Sequence, residues 1–129
     1  MSKKIALVTG AGSGIGRACA IALAADGWTV VLTGRRETAL QETISEAGQL
    51  GTQMSAIACD VTDPASVDAL YAGIGKAHGR LDMVFNNAGT NVPPLNLADL
   101  TYDQWRLVIN VNLDGAFLIA KWAFTMMRD

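Results

Sequence analysis

The sequence predicts an α/β fold, a three-layer α/β/α sandwich with helices on both faces of a parallel sheet, and one domain over residues 1–129. Three observations carry this. Short apolar runs rich in β-formers alternate with stretches of helical periodicity, the order that builds parallel sheets through right-handed crossovers. The apolar runs read as buried strands, the kind that parallel sheets contain. Half of the 129 residues are apolar and 17% are charged, which supports one buried core and excludes a disordered chain.

Ile5 to Thr9 reads as the first strand, followed by the turn Gly10-Ala11-Gly12-Ser13-Gly14-Ile15-Gly16 and an alanine-rich helix carrying Ile21 and Leu23. Thr29 to Thr33 is a second buried strand. From Glu37 to about Leu50, the residues Leu40, Ile44 and Ala47 recur at helical spacing with acidic residues between them. Met54 to Cys59 forms a third strand. Thr62 or Asp63 can then cap a helix with Pro64 in its first turn, with Val67, Leu70, Ile74 and Ala77 on its inner face and Gly79 at its end. Leu81 to Phe85 supplies a fourth strand, Pro93 and Pro94 mark a loop, and a last helix runs from about Tyr102 to the chain end at Asp129. In such a sheet ligands bind at the carboxyl ends of the strands, where each motif below falls.

Composition excludes several classes of partner. Ten Lys and Arg against twelve Asp and Glu give a net charge of -2, too even for an electrostatic grip on nucleic acid or a membrane surface. Cys19 and Cys59 lack C-x-x-C spacing and His78 is the single histidine, so no metal site is expected. The apolar run after Lys3 and Lys4 is too short for a signal peptide. No stretch approaches eighteen consecutive apolar residues, so no membrane span is expected. A cytoplasmic location with free thiols follows as the expectation.

The glycine turn follows a buried strand and opens a helix, which points bare backbone N–H groups and the positive end of the helix dipole at an anion such as a diphosphate. The bland alternative is a tight turn and nothing more. The spacing Gly10-x-x-x-Gly14-Ile15-Gly16 differs from the ordinary G-x-G-x-x-G fingerprint. Thr9-Gly10-x-x-x-Gly14-Ile15-Gly16, with Ser13 inside it, resembles the cofactor turn of the short-chain dehydrogenase/reductase family, and later residues repeat the resemblance. Asp60-Val61 resembles that family's adenine-binding pair, Asn86-Asn87-Ala88-Gly89 its Asn-Asn-Ala-Gly signature, and Trp105 followed by Asn112-Leu113 its long helix. The resemblance covers essentially the whole chain but only the amino-terminal half of the family's Rossmann-type, doubly wound domain. It therefore implies a truncated domain, incomplete at the C-terminus.

Each motif has a physical task and a competing reading. Asp60 can accept from an adenine amino group while Val61 packs beside the purine; the alternative for Asp60 is a helix cap. Asn86 and Asn87 after an apolar strand need partners for their amides, and Ala88-Gly89 lets a ribose approach the backbone; the alternative is an Asn-rich turn. The second strand ends Thr33-Gly34-Arg35-Arg36, without the acidic residue that would hold the ribose hydroxyls of NAD. Gly34 leaves room for a 2′-phosphate and Arg35 offers it a charge-assisted fork, which favours NADP over NAD; a solvated arginine pair is the alternative.

On the last helix, Asp103, Arg106, Asn110, Asp114, Lys121, Thr125 and Arg128 share one polar stripe, and burial is expected around most of the remaining circumference. Asn112 projects nearly opposite, among Val108, Val111, Phe117 and Ile119, where its amide needs a partner. A bond to helix backbone is one possibility. The resemblance instead places Asn112 in the family's Asn-Ser-Tyr-Lys catalytic set, organising a water that leads towards the lysine. The serine, tyrosine and lysine are expected beyond Met126-Met127-Arg128-Asp129. Tyr71 is followed by Lys76 at five residues rather than four and Tyr102 by Arg106, and both pairs sit on predicted helices away from the expected site.

The resemblance implies an NAD(P)-dependent oxidoreductase moving hydride between nicotinamide and a carbonyl or alcohol substrate, represented by its cofactor-binding half and self-associating through the last helix. The competing reading is a non-catalytic nucleotide-binding or dimerisation module, a truncated product. A methyltransferase-like site would need an acidic end to the second strand, and leaves Asn86 to Gly89 unexplained.

Overall fold

A computed structural model describes residues 3–128. The chain alternates β1 (Ile5–Thr9), α1 (Gly14–Ala25), β2 (Thr29–Gly34), α2 (Glu37–Glu46), β3 (Met54–Ala58), α3 (Pro64–His78) and β4 (Met83–Phe85). A long helical unit follows, made of α4 (Tyr102–Ile109), a π-helical segment Asn110–Gly115 and α5 (Ala116–Met127). The sheet has four strands in the order β3-β2-β1-β4, all parallel. The chain winds outward from β1 through β2 to β3, then returns to the other side of β1 for β4. This reversal opens a crevice at the carboxyl ends of β1 and β4.

Successive side chains of a strand point to opposite faces, and the core divides accordingly. Ile5, Leu7 and Val31 pack with Val67, Leu70, Tyr71 and Ile74 of α3 and with Ile119 and Ala123 of α5. On the other face Val8, Val30 and Leu32 pack with Ala20 and Ala24 of α1 and Leu40 of α2. β1 is buried along its whole length, as the central strand of a three-layer fold requires.

Several boundaries differ from the sequence expectation. The helix starting at Glu37 stops at Glu46, not near Leu50, because Gly48 adopts φ +61° and the chain continues as a 3-10 turn over Gly48–Gln53. The third strand ends at Ala58, and the fourth begins at Met83 rather than Leu81. Asp63, not Thr62, caps α3, its carboxylate accepting from Ala65 N at 3.0 Å. Ala77 is exposed, and Tyr71 joins the inner face of α3 instead.

The last helix departs furthest. It is not one regular helix but is broken by the π-helical segment, and Asp129 lies outside the described residues. Its buried line is narrow: Gly115, Ile119 and Ala123, recurring every four residues. Much of the circumference expected to be buried is open, with Trp105, Leu113, Phe117 and Phe124 exposed. Tyr102–Met127, at 26 residues, is also long and apolar enough by length and composition to cross a membrane, which counting consecutive apolar residues missed. Mostly buried core helices of soluble proteins meet the same criterion; here 17% of the apolar window is buried, and Ile119 and Ala123 pack in the core beside α3.

Candidate functional site

β1 ends at Thr9, whose hydroxyl is the hub of the crevice. Thr9 Oγ1 accepts from the backbone N–H groups of Asn87 and Ala88, each at 2.8 Å, so the segment after β4 is tied to the end of β1. Asn87 Nδ2 donates to Thr9 O at 3.3 Å and Asn86 Nδ2 to Ala116 O at 2.9 Å. One N–H of each side-chain amide, on Asn86 and Asn87, thus helps join β1, β4 and α5.

The glycine turn leaves β1 with Gly10 at φ +64°, a conformation open to glycine at little cost. Gly16 then passes so close that a Cβ there would lie 2.1 Å from Gly10 O and 2.8 Å from Asn87 Nδ2. Ser13 stands at the N-cap of α1 in extended conformation and its hydroxyl makes no cap bond. Bare amides therefore open α1, with the dipole's positive end behind them.

A cavity of about 470 Å³ lies in front of this turn. Of the residues singled out from sequence, Gly10, Ser13, Arg35, Asp60, Val61, Ala88 and Gly89 line it, together with Gly12, Gly34 and Thr90. Thr9, Gly16, Asn86 and Asn87 build the framework behind it, and Gly14 and Ile15 lie at the exposed start of α1, outside the cavity wall. Arg35 and Arg36 are exposed, and both line the cavity.

Asp60 sits at the carboxyl end of β3 and does not cap α3. Its Oδ1 accepts from Thr62 Oγ1 at 2.7 Å and Thr62 N at 3.0 Å. These bonds, and to a smaller degree the charge of Arg35, hold the Asp60 carboxyl below its ordinary range, so a fixed negative charge borders the cavity opposite the glycine turn. Burial pushes the neighbouring Cys59 thiol up, which keeps it protonated and unreactive.

Asn112, in the π-helical segment, is exposed and not enclosed among apolar side chains. Its amide bonds no helix backbone; it clamps Thr90, Oδ1 accepting from Thr90 N at 2.8 Å and Nδ2 donating to Thr90 O at 2.9 Å. The long helix thereby holds the loop that follows Gly89. Sequence reasoning missed Arg17 and Thr43, which grip the glycine turn from behind. A cation in the first turn of a helix, against the macrodipole, was the available signal for Arg17.

The residues fit a dinucleotide. The close approach at Gly16 leaves the turn without side chains that would fill the cradle, and the cavity offers amides and an arginine for phosphates and a carboxylate for a base.

A protein-family model described as short chain dehydrogenase matches residues 4–129. The 3beta-hydroxysteroid dehydrogenase of Mediterraneibacter gnavus is 41% identical over 129 residues, an alignment covering 98% of this chain and 46% of the relative. Among solved structures, a variant of actinorhodin polyketide ketoreductase with NADPH superposes with a TM-score of 0.90 at 32% identity, over 98% of this chain and 49% of that one. The 3-ketoacyl-(acyl-carrier-protein) reductase of Brucella melitensis complexed with NADH gives 0.89 at 30% identity, over 97% and 50%. The chain spans about half the length of the curated relatives it matches.

Proposed function

The chain belongs to the short-chain dehydrogenase family of NAD(P)-binding oxidoreductases, and from that premise we propose that it forms the cofactor-binding half of an NADP-dependent enzyme acting on a carbonyl or alcohol. The observation that carries the cofactor preference is the end of β2: Gly34 and Arg35 line the cavity where a carboxylate would select NAD. Arg35 takes the 2′-phosphate, Asp60 accepts from the adenine amino group and Val61 packs beside the purine. The amides of Gly12, Ser13 and the start of α1 hold the diphosphate, and Ala88-Gly89 leaves the backbone open to a ribose.

Bound nicotinamide supplies or accepts the hydride. Asn112 takes part through its position, with its side chain committed to Thr90. We place the proton donor on a part of the enzyme outside these residues, so this chain alone binds cofactor without efficient turnover; lack of a matched acid costs roughly 10²–10⁴-fold in rate. The same reading puts the protein in the cytoplasm, supported by the free thiols Cys19 and Cys59, and pairs copies through α4 and α5.

NADPH titration followed by nicotinamide fluorescence, beside a carbonyl-reduction assay, tests the reading. Saturable binding without turnover is expected, and Arg35→Ala is expected to weaken NADPH about tenfold while leaving NADH within about twofold. Equal losses for both cofactors overturn the preference, and robust turnover by this chain relocates the acid. Absence of binding by either dinucleotide overturns the whole assignment.

A further inference from the structure

The glycine turn is gripped from behind by side chains that do not line the cavity. Arg17, on α1, has a side chain only 21% exposed. Its Nη2 donates to Gly12 O at 2.6 Å and to Ala39 O at 3.3 Å, its Nε to Thr43 Oγ1 at 2.9 Å, and its Nη1 to Glu46 at 3.0 Å. Thr43, fully buried on α2, donates to Ala11 O at 2.7 Å, with a longer approach of 3.3 Å to Ala39 O. The carbonyls of two consecutive turn residues, Ala11 and Gly12, are thus pulled away from the cavity toward α2.

In a trans peptide the C=O of one residue and the N–H of the next point in opposite directions. Holding Ala11 O and Gly12 O backward therefore turns the N–H groups of Gly12 and Ser13 forward, and both residues line the cavity. The turn also has no slack: a Cβ on Gly12 would lie 2.9 Å from Ala39 Cβ. Glu46 and Glu42, the latter 3.5 Å away, face the guanidinium charge. Its contribution is consequently orientation of the amides rather than attraction of an anion.

We propose that Arg17 and Thr43 are positioning residues that preset the Gly12 and Ser13 amides for a diphosphate; this rests on the reading that the turn receives a dinucleotide. Pre-aimed donors spare the ligand the cost of ordering the loop. The test compares wild type with Arg17→Met, Thr43→Val and Thr43→Ser by calorimetric titration with NADPH, ADP-ribose and 2′-AMP, with thermal melts alongside. The first two ligands carry the diphosphate and the third does not.

Arg17→Met and Thr43→Val are expected to raise Kd for NADPH and ADP-ribose about tenfold and to leave 2′-AMP within about twofold, while Thr43→Ser, which keeps the hydroxyl, binds as wild type does. Unchanged Kd values in the folded variants overturn the proposal. So does an equal loss for all three ligands, which marks a general structural defect. If Arg17→Met does not fold, the Thr43→Val and Thr43→Ser pair decides. A wild type that binds 2′-AMP but neither diphosphate ligand overturns the assignment of the turn itself and not merely the role of its supports.

Discussion

Gly16 has no space for a side chain, whereas Gly14, two residues earlier, is open. A Cβ on Gly16 would meet backbone at 2.1 Å, while one on Gly14 meets nothing within 4 Å and faces only the φ of +54°. Gly14→Ala is therefore expected to cost about 1–2 kcal/mol, the strain of left-handed backbone. Gly16→Ala must push β1 and α1 apart and is expected to lose more stability, together with dinucleotide binding. Urea unfolding of both variants checks this, and equal losses would contradict the crowding argument. Asp60 allows a pH test. Its carboxyl is depressed mainly by Thr62, so the stabilisation it provides is present above the unfolded value of about 3.9 and is lost as pH falls through the folded value. Thr62→Val removes one of the two bonds and is expected to raise the Asp60 midpoint, read by carboxyl NMR titration. An unmoved midpoint would assign the depression elsewhere.

The apolar joint between α3 and α5 contains a buried hydrogen bond, Tyr71 Oη donating to Ile119 O at 2.7 Å, with the Tyr71 ring stacked on Trp122 at 6.5 Å. Burial drives the Tyr71 phenol well above its ordinary pKa. The folded value thus exceeds the unfolded value of about 10, so this group's stabilisation is complete below that pH and is lost as pH rises beyond it. Tyr71→Phe is expected to cost about 1 kcal/mol near neutrality and to flatten the alkaline loss, which denaturant melts between pH 8 and 11 would resolve. At this scale the sequence is readable where signals are local. The strand-helix alternation, the Asp63 cap with Pro64 and the Gly79 stop all depend on near neighbours. The π-helical segment was not readable, because distant contacts hold it. Gly115 lies against Val61, where a Cβ would come within 2.6 Å of Val61 Cγ2, and Asn112 is pinned to Thr90 across 22 residues of chain. The Arg17 and Thr43 grip was hidden for the same reason, since it joins residues that only the packed α1 and α2 bring together. Among the motif residues, the cavity-lining places of Arg35, Asp60 and Ala88-Gly89 were legible; that Asn86 and Asn87 each donate an Nδ2 hydrogen bond to the framework was not.

Across the whole molecule, the outer side of the long helical unit carries a group of exposed large apolar side chains. Leu113, Phe117 and Phe124 are 62%, 61% and 69% exposed and recur at spacings of four and seven residues, which places them on one face. Exposed apolar side chains grouped on one helix face make that face a candidate for pairing. The rest of the helix is already seated on the core through Ile119 and Ala123, so the exposed face is free to pair without unfolding anything. Pairing two copies face to face would remove both sets of side chains from water, each Phe contributing about 1.5–3 kcal/mol when fully covered. The protein is therefore expected to associate with rising concentration in sedimentation velocity, and Phe117→Glu with Phe124→Glu to weaken association by at least about 100-fold. Both positions are exposed in the single chain, so the double variant is expected to retain its circular dichroism and NADPH binding. Association undiminished in that variant would move the contact off this face, and loss of the dichroism signal would show that these aromatic residues support the fold itself.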